Sequence, residues 1–309
     1  MMAKDHFDIV VIGHFSIDSI ILPDRQGPFT ILGGAVAYVS LVAQRMGASA
    51  AVISKVGGDF PEKYMSQLLS AGVDISGIVK AMSERTTSFE LTYNEDLTAR
   101  ALRLRRQGSS IAPNDMPSSI KGKTVHVAPI DGEISYEVVE KLRGCCERLS
   151  IDPQGMTRQF DPSGNVVNNL QIDKRVLSLV DIYKSSLDEI QLLTGQSDLN
   201  KATTAVHKLG PATVIVTMGA KGSILSAQGE IYQVPACKSK RVVDPTGAGD
   251  VFIGAYLTES IRSKDKFWCA CVGSAAASLV VEGVGTSFFG EKTEIYRRAL
   301  GIYQKENMR

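Results

Sequence analysis

An excess of charge of either sign is the first thing this chain lacks. Its 34 Lys and Arg residues face 33 Asp and Glu residues, for a net charge of +1. So even a balance gives nucleic acid or an acidic surface no electrostatic footing as a partner. Apolar runs are short as well. None approaches the roughly 18 residues that a membrane-spanning helix needs. The opening Met1-Met2-Ala3-Lys4-Asp5-His6 leads straight into a strand-like segment, without an apolar signal region. The expectation is a cytoplasmic chain with no membrane partner. Cysteine is scarce: Cys145, Cys146, Cys237, Cys269 and Cys271 show neither metal-ligand spacing nor a disulfide framework. Free thiols in a reducing compartment follow. No internal repeat, low-complexity tract or linker breaks the 309 residues, of which 44% are apolar, enough for a sizeable core.

What is present is an alternation of short apolar strands and helical segments. Phe7–Gly13, Ala50–Val56, Thr124–Ala128, Arg148–Ile151, Asp181–Ser185 and Ala212–Thr217 read as buried strands. Helical stretches lie between them. Strands near Ser223–Leu225 and Ile231–Val234 follow, and Phe267–Val281 and Glu291–Glu306 read as late helices. The pattern predicts an α/β fold: one domain over residues 1–309, with a doubly wound, mostly parallel sheet covered by helices on both faces. Ile17–Leu22, Phe29–Leu32, Thr86–Tyr93 and Ala99–Arg105 would form a small sheet apart from the main one.

The densest chemistry lies in Asp244-Pro245-Thr246-Gly247-Ala248-Gly249-Asp250. Its glycines let backbone turn tightly and approach a ligand. The apolar run after it reads as a buried helix, so the turn leaves helix-start N–H groups unpaired at the positive end of a dipole. That is an anion hole suited to phosphate oxygen. Asp250 stands at its lip, either as a simple helix N-cap or as a base beside the anion. No Gly-Lys-Ser/Thr follows, so this is not a Walker loop.

The seven residues resemble the signature of the ribokinase-like carbohydrate kinases, the phosphofructokinase-B family. The likeness extends in order from about Phe7 to Thr286. It implies that Asp250 deprotonates a substrate hydroxyl that attacks the γ-phosphate of ATP, while Gly247, Ala248 and Gly249 offer N–H groups to the developing charge. Gly13 to Asp18 looks like the family's first strand, whose Asp binds substrate hydroxyls. Gly33 and Gly34 would let substrate lie against backbone. Tyr38, where sugar-specific relatives often carry an amide, argues against ribose and offers a flat apolar wall. Asp152-Pro153-Gln154-Gly155-Met156-Thr157-Arg158 resembles the inositol-kinase-like branch, with Gln154 and Arg158 able to hydrogen-bond a polyol.

Ser186-Leu187-Asp188-Glu189 stands where most of the family has Asn-x-x-Glu. Glu189 is then the residue that organises Mg²⁺, largely through water; Ser186 with Glu189 is also a capping-box spacing. The resemblance assigns the nucleotide to Lys184, Thr217, Gly219, Gly222, Thr246, Gly247 and Gly249. In relatives, loops near Asp244 and Gly283–Thr286 can hold K⁺. The small sheet, from about 14–32 and 85–106, would be a lid that excludes water and offers a surface for a homodimer. Among Arg100, Arg103, Arg105 and Arg106, one would reach the substrate or the transferring phosphate. The reading is an ATP-dependent kinase of a small polyol or sugar, such as myo-inositol. The alternatives are a nucleoside kinase of cytidine or adenosine type and a catalytically silent sugar-binding regulator.

Overall fold

The computed structural model describes residues 6–97, 100–117, 119–168, 172–263 and 265–307. The chain opens with β1 (His6–Ile12), β2 (Ser16–Ile21), β3 (Phe29–Gly33), α1 (Ala35–Arg45), β4 (Ala50–Gly57), α2 (Glu62–Ser70), β5 (Asp74–Ala81), β6 (Ser88–Tyr93) and β7 (Arg100–Arg106). It continues through β8 (Lys121–Val127), α3 (Tyr136–Arg143), β9 (Cys146–Ile151), β10 (Arg158–Phe160), β11 (Val166–Asn168), α4 (Arg175–Ser178), β12 (Ile182–Ser186), α5 (Leu187–Thr194) and α6 (Leu199–His207). It ends with β13 (Thr213–Thr217), β14 (Ser223–Ala227), β15 (Glu230–Val234), α7 (Ala248–Ser260), α8 (Lys266–Val280) and α9 (Lys292–Asn307).

The main sheet has nine strands in the order β15-β14-β13-β12-β9-β8-β1-β4-β5. All pairs run parallel except those that β14 and β15 make at one edge. Strand order reverses beside β1, which lies between β8 and β4. An α/β sheet opens a crevice outside its strands' carboxyl ends at such a switch point. Helices cover both faces, so β1, β4 and β13 are buried almost throughout, as their apolar runs require.

A separate four-stranded sheet runs β3-β2-β6-β7, with β2 and β6 parallel and the outer pairs antiparallel. It is the small sheet expected from the sequence; Ala99, included in that expectation, lies outside the described residues. Strand β5, helices α4 and α6 and the β10–β11 hairpin were not anticipated. The hairpin donates an edge to the second sheet: Leu104 N–H bonds Gly164 O at 2.7 Å.

Helix α7 is apolar around its whole girth and buried from Val251 to Glu259. Small residues set how closely it packs. A Cβ on Gly254 would come within 2.5 Å of Val42 Cγ1 in α1, and one on Gly273 within 2.8 Å of Phe252 O. The small residues of α8 therefore serve this helix crossing. Each fully buried Val, Ile or Phe here contributes about 1.5–3 kcal/mol. The result is a rigid mount for the first turn of α7, where Asp250 stands.

Candidate active site

The signature loop is built by its own first residue. Asp244 is buried, and its Oδ1 accepts the Thr246 N–H at 2.9 Å and the Thr246 hydroxyl at 2.5 Å. Its Oδ2 accepts the Gly285 N–H at 2.9 Å. These bonds bend the chain into Gly247, whose φ of +76° only glycine adopts cheaply. A Cβ there would also lie 2.3 Å from the Tyr38 ring. The first N–H groups of α7 lack intrahelical acceptors, and that of Ala248 makes only a long bond, 3.4 Å, to Pro245 O. Asp244 thus spends Oδ1 on Thr246 and Oδ2 on Gly285, tying the signature loop to the turn at Gly285.

Two cavities meet at this loop. One is bordered by Asp18, Gly34, Tyr38, Gln154, Arg158, Thr246, Gly247 and Asp250. Phe89 and Leu91 of β6 and Arg100 and Leu102 of β7 close it from the second sheet. The other opens on the start of α7 and is lined by Gly247, Ala248, Gly249 and Asp250 with Tyr93, Leu97, Arg100, Gln154 and Pro245. Arg100, Gln154, Gly247 and Asp250 belong to both, so they form the partition between them. Gly33 lines neither cavity. It is the backbone bed of Asp18, since a Cβ on it would sit 1.9 Å from Asp18 Oδ2.

Two carboxylates in the first cavity are poised. Withdrawal from water raises Asp250 from 3.8 to about 6; Lys184, Arg100 and Arg158 pull it down and Asp152 pushes it up. Burial likewise lifts Asp18 to about 6, against the neighbouring Ser16 hydroxyl and the charge of Arg100. Asp18 Oδ1 and the Tyr38 hydroxyl are buried without a protein partner among the described residues. Such groups are costly to leave unpaired and suit a hydroxylated ligand.

Lys184 on β12 is buried and bonds Asp152 Oδ2 at 2.5 Å. A Cβ on Gly249 would lie 2.9 Å from its Nζ, so the ammonium sits against the first turn of α7. Glu189 accepts the Ser186 N–H at 2.7 Å through Oε2, and Ser186 Oγ accepts the Glu189 N–H at 3.3 Å. Its capping role is therefore built in. Ser186 N–H engages only Oε2, and an Oε1 left to water fits the outer-sphere oxygen that a hydrated Mg²⁺ would use. Bound there, the ion would neutralise phosphate charge.

Thr217, Gly219 and Gly222 stand at the C-terminal end of β13, on the same sheet edge but outside the lining of both cavities. The Thr217 hydroxyl donates to Ser185 O at 3.3 Å, and Gly222 packs against Val234 O. Thr246, assigned to the nucleotide by resemblance, has its side chain committed to Asp244 and to Tyr93.

Arg100 is the residue that sequence reasoning left undistinguished. Its Nη1 donates to Tyr93 Oη at 3.2 Å, and Tyr93 and Thr246 share a hydrogen bond at 2.7 Å. Since the Thr246 proton goes to Asp244, Tyr93 donates here. One directional chain thus docks the second sheet on the signature loop. The signal was present: side chains two apart on a strand share a face, so Arg100 lies with Leu102 toward the cavity. Arg103 and Arg105 point outward, to Ser163 O and Glu90.

Residues 6–293 match the family model described as pfkB family carbohydrate kinase. A curated relative, the cytidine kinase of Thermococcus kodakarensis, is 31% identical over 283 residues, covering 90% of this chain and 97% of its own. The inositol 3-kinase of Arabidopsis thaliana is 28% identical, covering 94% of this chain and 80% of its own. A solved structure of a pyrophosphate-dependent myo-inositol-1 kinase, converted by mutation into a myo-inositol-3 kinase, superposes with a TM-score of 0.80 at 23% identity, covering 95% of this chain and 98% of that one. Among the described residues, no helix is long and apolar enough to cross a membrane. The buried carboxylate beside the glycine turn at the start of α7 and the match along nearly the whole chain agree: this kinase belongs to the pfkB family of carbohydrate kinases.

Proposed function

We propose that the chain transfers the terminal phosphoryl group of ATP to a hydroxyl of a small polyol or sugar. The observation that carries this reading is Asp250, standing in the partition between a hydroxyl-binding cavity and a cavity that ends on a helix N-terminus. Asp18 and Asp250 hold acceptor hydroxyls in the first cavity. Donor phosphates lie in the second, against the N–H groups of Gly247 to Gly249. Asp250, at about 6, is ionised at neutral pH and basic enough to take the hydroxyl proton as the oxygen attacks. Arg100, Lys184 and the helix start surround the charge that spreads over the phosphoryl oxygens. Glu189 would hold the Mg²⁺ through water. The second sheet closes the acceptor cavity against bulk water and so disfavours hydrolysis.

One observation favours a second acceptor class. Phe89, Leu91, Leu102 and Tyr38 give the cavity an apolar wall that a polyol does not need and a nucleoside base would cover. The cytidine kinase relative fits the same reading. ADP release measured over myo-inositol, fructose, ribose, cytidine and adenosine, each with ATP and with pyrophosphate as donor, separates the readings. Turnover of myo-inositol or a sugar supports the first and turnover of a nucleoside alone the second. Tight binding of one acceptor without any turnover refutes both and leaves a silent regulator.

A further inference from the structure

Behind the acceptor cavity the two sheets meet at a buried cluster that the transfer reaction does not use. His14 follows β1 and is 1% exposed. Its Nε2 lies 3.0 Å from Ser109 O, a carbonyl that can only accept, so Nε2 carries a proton. Its Nδ1 lies 3.0 Å from Thr87 Oγ1 and 3.3 Å from Asp131 Oδ1. Thr87 Oγ1 lies 2.9 Å from Asp131 Oδ2 and accepts the Gly108 N–H at 3.0 Å. If the Thr87 proton turned to His14 instead, Asp131 Oδ2 would lose its hydroxyl donor in a buried site, an expensive arrangement. With that proton on Asp131, Nδ1 faces acceptors only and must be protonated too. Glu133 completes the cluster, its oxygens taken by the N–H groups of His14, Ile130 and Asp131. Ligand atoms of His14, Asp131 and Glu133 come within 4.8 Å of one another, and those of His14 and Glu133 are already engaged by these bonds.

We propose that His14 is a positioning residue which stands as a buried imidazolium and whose charge sets the second sheet over Asp250. The partners come from three of the chain's crossings between the sheets: His14 where β1 passes to β2, Thr87 where β6 begins, and Gly108 and Ser109 where β7 leaves. Asp131 and Glu133, after β8, are fixed to the main sheet and are the charged groups that face the ring. Gln107 adds a bond to Asp131 O at 2.9 Å. Asp18 lies on β2 and Arg100 on β7, so both reach Asp250 only while this joint holds its angle. Burial lowers the pKa of His14, but the charges of Glu133 and Asp131 and the Ser109 carbonyl outweigh it and leave the pKa raised. The contribution is therefore complete below the unfolded value of 6.5 and is lost as pH rises through the folded value.

Nitrogen NMR of ¹⁵N-histidine-labelled protein at about pH 8 tests the charge directly. The expected result is one ring with both nitrogens protonated, which disappears in His14→Gln. His126, driven to about 3 by burial and by Lys184, is not a source of that signal. Absence of a doubly protonated ring overturns the proposal, and this measurement needs only the wild-type chain to fold. The kinetic arm rests on the kinase reading. His14→Gln should raise the acceptor KM about tenfold, through a smaller closed population, with little change for ATP. Asp131→Asn should move the alkaline limb of kcat/KM to lower pH, which loss of packing alone would not do. An unmoved limb and an unchanged KM overturn the positioning role. If wild type turns over no acceptor, the kinase reading fails instead, and hydrogen exchange of residues 85–109 with rising pH replaces the kinetics. Exchange that does not quicken, beyond its intrinsic pH dependence, overturns the coupling.

Discussion

Replacing Asp250 by Asn should cripple the enzyme and stabilise the protein. The substitution keeps shape and hydrogen-bonding capacity at the third position of α7, and Lys184 keeps Asp152 as its partner at 2.5 Å. What disappears is a carboxylate held at about 6 instead of 3.8. Keeping it ionised costs about 3 kcal/mol at most, at about 1.4 kcal/mol per tenfold in the proton equilibrium. Asp250 is only partly buried, so solvent screening brings the expected gain to about 1–2 kcal/mol. The sign follows from linkage. A carboxyl whose folded pKa is raised destabilises the fold fully above the folded value. The penalty shrinks as pH falls through about 6 and vanishes below 3.8, where both states are protonated. Asp250→Asn should therefore melt a few degrees above wild type at neutral pH and level with it in strong acid. Loss of the base should lower turnover by about 10²–10⁴. Paired melting curves across pH and ADP-release rates read both effects. A melting difference that ignores pH refutes the assignment of the cost to this carboxylate, and undiminished turnover removes Asp250 from the chemistry.

Other outcomes follow from the same geometry. With Asp18 and Asp250 both near 6, kcat/KM should fall on the acid side of neutrality with a slope steeper than one proton; a single step below about 5 contradicts the burial of the pair. Arg100→Ala should cost about a hundredfold or more in kcat, with Arg100→Lys intermediate, because the guanidinium stands in the partition; a change confined to acceptor KM would reassign it to acceptor binding. Gly247→Ala meets both a φ of +76° and the Tyr38 ring 2.3 Å away, so donor binding measured by calorimetry should be lost; normal binding refutes the anion hole. Ser186→Ala and Glu189→Ala should each cost about 1 kcal/mol of cap stability, but only Glu189→Ala should raise the Mg²⁺ concentration needed for half-maximal rate. Equal Mg²⁺ demand in the two variants leaves Glu189 a cap and nothing more.

How much of this was legible in the sequence depends on how local each cause is. The glycine turn before α7 is written in seven consecutive residues, and its conformation is closed by Asp244 within that stretch, apart from Gly285. Buried strands such as β1 and β13 announce themselves because helices on both faces demand unbroken apolar runs. Strand β5 does not, because at the sheet edge Asp74–Ala81 is only partly covered and needs no such run. The β10–β11 hairpin closes locally, Asp161 accepting the Ser163 and Asn165 N–H groups, but its place beside β7 rests on one bond from Leu104 that no local pattern encodes. Arg100 lay between these cases. Strand alternation singles it out from Arg103 and Arg105, but only once the inward face of β7 is known. His14 was the least legible. Its partners lie 73 to 119 residues away, and each alone reads as an ordinary loop residue. The chemistry of transfer sits in the stretch that is easiest to read. The joint that would bring the second sheet's Asp18 and Arg100 to it is assembled from residues that acquire meaning only in three dimensions, and sequence patterns of strand and helix carry no trace of it.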